Sequence, residues 1–442
     1  MIERLLEVAR RRADGGADAL WRRVERTSVV FEAGRLKSAG AAEETGVNLR
    51  VRHAGRVGVA GSTAADAPPD ALVARALASA ALGEPLELVF PAAAPLPCVP
   101  TMFERAATAS LDDLIAIGRS LLERLARDDC RVNVAIDRET GETHVANTAG
   151  ATSGYAASAV TVSAEVWRIA GDDVLVLGDG CEGADLPSAA TLAGLVRSIH
   201  ARLNHALTIR TPPEGALPVV FTPAGLAALL LPVTQALSGK AVLQGISPLA
   251  GRAGEAVFDP TFSLRDDPLR PGRPASRPVD DECVPSRVVP LVHQGRVRQF
   301  IYDLETAARA HTQSTGHGQR AVFGTPVPAY TNLVLGEATP EATSDGGELG
   351  GGLVPPVRDG LLVDELIGVG QGNVIGGAFS HPVALAYRIE RGEITGRVKD
   401  AAVAGNAYDL WKRVGGLGSD ARWTGGRYAP SVRFDEVNVA RR

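Results

Sequence analysis

The chain has 442 residues, 45% hydrophobic and 22% charged, with 49 glycines and 28 prolines. That length predicts two domains rather than one core, the composition excludes wholesale disorder, and so many turn-forming residues favour strands over a helical array. A net charge of −5 with no dense Lys/Arg block argues against nucleic-acid binding, which needs a basic face.

From the N-terminus, Ile2, Leu5, Leu6, Val8 and Ala9 recur at helical spacing over 2–12, as in a helix laid on a sheet. ALWRRVERTSVVFEAGRLKSAG then reads as strand. In GVNLRVRHAGRVGVAGS, Val47, Leu49 and Val51 alternate with Asn48, Arg50 and Arg52, and HAGR is a turn. This predicts a β-hairpin with one wet face. PPDALVARALASAALG and SLDDLIAIGRSLLERLARDD are helical. In the second, Ser110 is the expected N-cap with Asp113 in the capping-box position, and Leu114, Ile117, Leu121 and Leu125 share one face. Strand-like runs VNVAID, ETHVANT and SAVTVSAEVWRIAG follow, then a helix in SAATLAGLVRSIHARLNHAL.

Pro-Pro-Glu-Gly makes 208–218 the expected linker, dividing the chain into an N-terminal domain over 1–207 and a strand-rich C-terminal domain over 219–442. After VVFT comes PAGLAALLLPVTQALSGK (223–240), apolar enough for a buried helix but interrupted by Pro232. Gly/Pro-punctuated stretches with short alternating runs fill the remainder, and 339–357 reads as a flexible surface loop. Helices and strands mix without strict βαβ alternation, so the expected fold class is α+β.

Cys98, Cys130, Cys181 and Cys283 form no CxxC pair. The N-terminus lacks a signal-peptide apolar region, and no run is long enough to span a bilayer. The expectation is a cytoplasmic protein with free thiols and no membrane partner.

Zinc hydrolysis needs several His, Asp, Glu or Cys side chains converging on one point. None of the eight histidines is followed by glutamate. His200 and His205 diverge around a helix. His311 and His317 flank TQSTG and, with Asp303, are the residues open to an atypical metal site. No GxSxG elbow or GxxxxGK[ST] loop occurs, and GVGQGN (368–373) reads as a tight turn. The acids in RDDP (265–268) and VDDEC (279–283) read as solvated turns, and those beside Cys283 would raise its thiol pKa.

Several segments together resemble one family. They are FEAGRLKSAGAAEETGVNLRVRHAGRVGVAGS (31–62), VVFTPAGLAALL (219–230), VFDPTFSLRDDP (257–268), RPVDDECVPSR (277–287), LVHQGRVRQFIYDLETAARAHTQSTGHGQR (291–320) and GGAFSHPVALAYRIERGEITG (376–396). In this order they resemble the TldD/PmbA family, once called modulators of DNA gyrase and also classed as peptidase family U62. In the TldD branch, the resemblance implies, the helix after this VVFTP strand carries a zinc-binding HExxxH. Its positions fall here on Leu230, Leu231 and Gln235, which cannot replace His, Glu and His. The later cysteine ligand falls around IGVGQGN, and no cysteine follows Cys283. Pro232 would bend the scaffold. Cys283 stands where glycine is usual, and Ala378 where aspartate often precedes Phe-Ser.

The resemblance therefore implies the TldE/PmbA branch: a subunit with no metal or catalytic residue of its own, partnered by a TldD-type chain that holds zinc. Such complexes degrade unfolded or linear peptides and trim leader peptides. The hairpin from Val47 to Val59 is a candidate edge for an added peptide strand, with ordinary sheet packing the favoured reading. A stand-alone hydrolase at His311 and His317 is the alternative. Direct DNA contact, suggested by the older family name, fits poorly with the acidic net charge.

Overall fold

The computed structural model describes residues 1–64, 66–336 and 347–441. Its first half is built on long antiparallel strands. Helix α1 (Ile2–Arg12) precedes β1 (Ala17–Glu32), β2 (Arg35–His53) and β3 (Arg56–Ser62); α2 (Pro69–Leu82), α3 (Glu104–Thr108) and α4 (Leu111–Leu125) follow. Then come β4 (Cys130–Asn147), β5 (Thr152–Ala170), β6 (Asp173–Gly183) and α5 (Ala189–Ala206). The sheet order is β3-β2-β1-β4-β5-β6. Ala33 and Gly34, at φ 48° and 78°, make the two-residue turn between β1 and β2, a conformation whose twist suits a hairpin. Ser110 and Asp113 close the expected capping box, and Leu114, Leu121 and Leu125 are buried beneath α4.

The second half opens with β7 (Ile209–Arg210), β8 (Gly215–Phe221), α6 (Ala227–Ala236) and α7 (Gly239–Leu243). The segment expected as a linker is thus largely sheet: β7 pairs with a later strand, and β8 starts at Gly215. Short elements follow: β9 (Leu264–Asp266), β10 (Val289–His293), β11 (Arg296–Val297), α8 (Leu304–Arg309), β12 (Gly318–Gln319), β13 (Val327–Pro328) and β14 (Leu333–Leu335). The chain ends in β15 (Asp359–Leu366), β16 (Ala378–Glu390), β17 (Glu393–Val398), β18 (Ala401–Asn406), α9 (Ala407–Leu410), β19 (Gly416–Leu417), β20 (Arg422–Thr424), β21 (Arg427–Ala429) and β22 (Val432–Arg441). The mixture is α+β.

Strands β15, β8, β22, β18 and β16 pair in succession, and β16 pairs back onto β15, closing a ring. Closure removes free edges. Alternation along these strands serves two cores. Val219, Phe221, Leu361 and Val363 pack with α6, α9 and Trp411, whereas Val220, Leu362, Tyr387 and Ile389 pack with α4, α5 and the first sheet. The halves therefore share apolar packing. Arg202 of α5 reinforces it, pairing with Asp364 of β15 at 2.7 Å, while the Tyr387 hydroxyl donates to the Arg202 carbonyl at 3.1 Å.

Of the surface loop expected over 339–357, residues 339–346 lie outside the described residues. In the rest, Leu353, Val354 and Val357 are buried in the shared core, so this stretch is packed structure.

Candidate functional site

Helix α6 runs through Pro232, although an interior proline removes one backbone donor and crowds the preceding turn. Neighbouring side chains hold the segment. Trp411 Nε1 donates to the Leu229 carbonyl at 3.0 Å, and the Tyr408 hydroxyl to that of Pro232 at 3.0 Å. Tyr330 donates to Thr234 at 2.7 Å, and Ser247 to Ala236 at 2.6 Å. The helix is built for packing: Leu229, Leu230 and Val233 lie in the larger core.

Leu231 and Gln235, one turn apart, face outward into a cleft of about 480 Å³. Gly372, Asn373, Val374 and Ile375 form its opposite wall, and Lys240, Gln244 and Tyr330 also line it. This wall follows Gly368, Gly370 and Gly372, all with φ between 77° and 94°; glycine alone occupies that region cheaply. The α6 helix and the GVGQGN loop are thus neighbours. Leu230, expected at the first histidine position, points into the core at 3% exposure.

No residue lining the cleft is His, Cys, Asp or Glu. An apolar side chain, neutral amides and an ammonium do not fit Zn²⁺, which is held by imidazole, thiolate or carboxylate. The residues lining this cleft therefore do not fit the metal.

The alternative set is not assembled either. His317 is buried: Nε2 lies 3.0 Å from Asp266 Oδ2, Nδ1 lies 2.9 Å from Thr315 Oγ1, and the ring meets Tyr330 edge-on. Asp303 caps α8, accepting from the Thr306 amide at 2.8 Å. His311 is exposed beyond that helix, at φ 52°. Among the described residues, no group of three His, Cys, Asp or Glu side chains is placed to hold a metal ion.

The densest polar chemistry lies where residues 279–324 cover the first sheet. Arg50 Nη1 reaches Glu282 Oε1 at 2.6 Å, and its Nε reaches Asp18 Oδ1 at 3.2 Å. Arg320 Nη1 also donates to Asp18, at 2.8 Å. Asp280 accepts from the amides of Glu282, Val284 and Gly318, all within 2.9 Å. Asp281 accepts from Arg22 at 3.0 Å and from the Arg320 amide at 2.9 Å. The Asn48 amide donates to the carbonyls of Ala321, Val322 and Gly324. Burial pushes Asp18 upward, but Arg320 and Arg50 outweigh it and leave its pKa below the ordinary value. Burial dominates at Glu282, lifting it to about 8 against the pull of Arg50.

This junction corrects two expectations. Asn48 and Arg50 are 0% and 1% exposed, so the face expected to be wet is a charged interior. Over Val47–His53, β2 lies between β1 and β3, while β3 is the terminal strand of the sheet. Asp266, Asp267, Asp280, Asp281 and Glu282 are likewise buried rather than solvated. Buried carboxylates survive only when paired and hydrogen-bonded, and here backbone amides and arginines meet that need. Cys283 follows expectation: burial, with Asp18 adding to it, lifts its thiol to about 12.

Residues 214–441 match the PmbA/TldA metallopeptidase C-terminal domain, and residues 17–80 match PmbA/TldA metallopeptidase domain 1. The chain belongs to the PmbA/TldD family. It is 29% identical over 205 residues to a metalloprotease TldD homolog of Haemophilus influenzae, covering 46% of this chain and 40% of that one. It is 27% identical over 244 residues to a metalloprotease of Methanothermobacter thermautotrophicus, covering 55% and 52%. The matches thus span about half the length of these PmbA/TldD relatives. In three dimensions the chain is similar to TldE from Thermococcus kodakarensis, with TM-score 0.87, 23% identity and 99% of each chain covered. It is also similar to a protein from Thermotoga maritima described as a modulator of a DNA gyrase, with TM-score 0.86, 22% identity and 99% of each chain covered. At these identities the structural likeness shows the PmbA/TldD fold.

Proposed function

We propose that this chain is the non-catalytic subunit of a heteromeric zinc metallopeptidase of the TldD–TldE type. A TldD-type partner supplies the metal and breaks the bond. The substrate is an unfolded or modified peptide, or a peptide or amide intermediate of natural-product biosynthesis. One observation carries the reading: the cleft between α6 and the GVGQGN loop is lined by Leu231, Gln235, Asn373 and Lys240 with no metal-ligating side chain.

A second cleft, of about 1070 Å³, lies between the first sheet and the ring. Val30, Asn133, Glu165, Glu365, Val383 and Trp423 are among its walls, and it supports a role in forming part of a peptide chamber. The subunit's work is to shape and enclose.

The test is reconstitution of the full chain with a cognate TldD-type chain. A stable complex is expected at micromolar concentration, with peptide hydrolysis abolished by a chelator and by altering the partner's HExxxH. Stoichiometric zinc in this chain alone, or peptide cleavage by it alone, overturns the proposal.

A further inference from the structure

A smaller cavity, of about 330 Å³, lies where residues 274–277 of the second half cover β4 and β5. The sheet supplies its floor. Arg22, Thr143 and Tyr155 stand in register across β1, β4 and β5, and Gly141 and Ala157 pair two residues along, on the same side because alternate strand residues share a face. Arg22 Nε donates to Thr143 Oγ1 at 3.2 Å. The cover brings in Arg277, whose side chain is 9% exposed.

Arg277 is short of acceptors. Its Nε is buried with no hydrogen-bond partner. Its ion pair, Nη1 to Asp281 Oδ1, is 3.7 Å long, beyond hydrogen-bond range. Asp281 is already committed: Oδ1 accepts from Arg22 at 3.0 Å and Oδ2 from the Arg320 amide at 2.9 Å. The next carboxylates are also taken. Asp280 accepts from three backbone amides, and Asp266 serves Thr331 and His317. Glu139, on the wall, pairs with Arg26 at 2.7 Å; at the rim Arg23 pairs with Glu43, and Glu142 is exposed. Two guanidiniums thus share one carboxylate beside the cavity. Burial lowers the Arg277 pKa, but Asp281 foremost outweighs it, so the group stays charged. A buried cation in this state needs an acceptor that the fold does not provide.

Chemistry narrows what that acceptor is. A guanidinium fork matches a carboxylate, whose two oxygens accept parallel N–H bonds. Thr143 and Tyr155 bring hydroxyl groups to the same cavity, and Gly141 and Ala157 leave room on its floor. One excess positive charge suits one carboxylate better than a dianion. We propose that the cavity between Arg22 and Arg277 binds a single carboxylate carried on a small uncharged body, supplied either by the C-terminus of a peptide or by a free small acid. The site does not depend on which chain supplies zinc.

The experiment titrates the full chain alone, by calorimetry at constant ionic strength, with N-acetyl-alanyl-alanine, its C-terminal amide, acetate and inorganic phosphate. Saturable one-to-one binding of a carboxylate probe is expected at roughly millimolar concentration, with the amide about tenfold weaker or more. Tighter binding of the dipeptide acid than of acetate supports the site with a peptide end as its source; acetate binding as well or better supports it with a free small acid. Arg277→Met should weaken binding about tenfold or more, with the melting temperature close to the parent's, because Arg22 and the Arg320 amide still hold Asp281. Ala157→Leu fills the floor without touching a charge and should abolish binding in a chain that keeps its circular dichroism. No saturable binding of either carboxylate at about 50 mM, phosphate or the amide binding as tightly as the acid, or binding retained in both variants overturns the proposal.

Discussion

Arg50 and Glu282, 232 residues apart in sequence, meet at 2.6 Å with side-chain exposures of 1% and 0%. Asp18 and Arg320 extend this contact into a buried hydrogen-bonded chain across the first sheet. Removing one member of such a buried set costs more than the pair contributes, because the remaining charges lose their partner. Arg50→Met should therefore lower unfolding free energy by about 3–5 kcal/mol, read by urea denaturation of the full chain. A loss under about 1 kcal/mol would show the cluster is better hydrated than its burial indicates.

The same cluster gives a pH signature. Glu282 is lifted from an ordinary 4.5 to about 8 by burial. Between those limits the folded chain binds a proton that the unfolded chain has released, so this group makes stability fall as pH rises. Asp18 acts oppositely: with its pKa held below 3.8, it contributes stability above the unfolded value, lost as pH falls through the folded one. Melting temperature should decline from about pH 5 to about pH 8, and Glu282→Gln should flatten that slope. An unchanged slope in the variant would assign it to other groups.

Restoring the family motif by substitution should fail. Leu230 fills the core beside α6, so Leu230→His places a polar ring there and should cost about 2–5 kcal/mol. The triple change Leu230→His, Leu231→Glu and Gln235→His should retain well under one zinc per chain after dialysis, measured by atomic emission. Tight stoichiometric zinc would mean that the helix turns its buried face outward.

Cys283 has φ 67°, a region where a side chain meets the following carbonyl at a cost of roughly 1–2 kcal/mol. Glycine removes that strain, but it loses a buried side chain and enlarges the unfolded ensemble's freedom. Cys283→Gly should stay within about 1 kcal/mol of the parent, while Cys283→Val, β-branched in the same region, should lose at least about 2 kcal/mol. Alkylation near neutral pH should label Cys98 and spare Cys283, whose thiol is lifted to about 12.

Local chemistry was readable where it closes locally. The capping box of Ser110 and Asp113 joins residues three apart, and the turn after His53 joins β2 to β3. Asn48 and Arg50 defeated the same logic, since polar alternation normally marks a solvated face, and the Ala321 carbonyl and Glu282 that cover them stand more than 200 positions downstream. RDDP and VDDEC read as solvated for a related reason: Asp280 accepts not only from the nearby Glu282 and Val284 amides but from that of Gly318, 38 residues on. The pairing of α6 with the GVGQGN loop likewise depends on ring closure by β15 and β16, over 120 residues beyond the helix.

Strand β7 at Ile209 and the ion cluster at Arg50 together bear on how this polypeptide can be divided. Cutting near residue 208 would part β7 from the first half, Arg50 from Glu282 and Asp18 from Arg320, leaving Arg50 and Asp18 only each other. Each half thus supplies part of the charge balance of the other's interior, and a cut at that point is expected to cost both pieces stability.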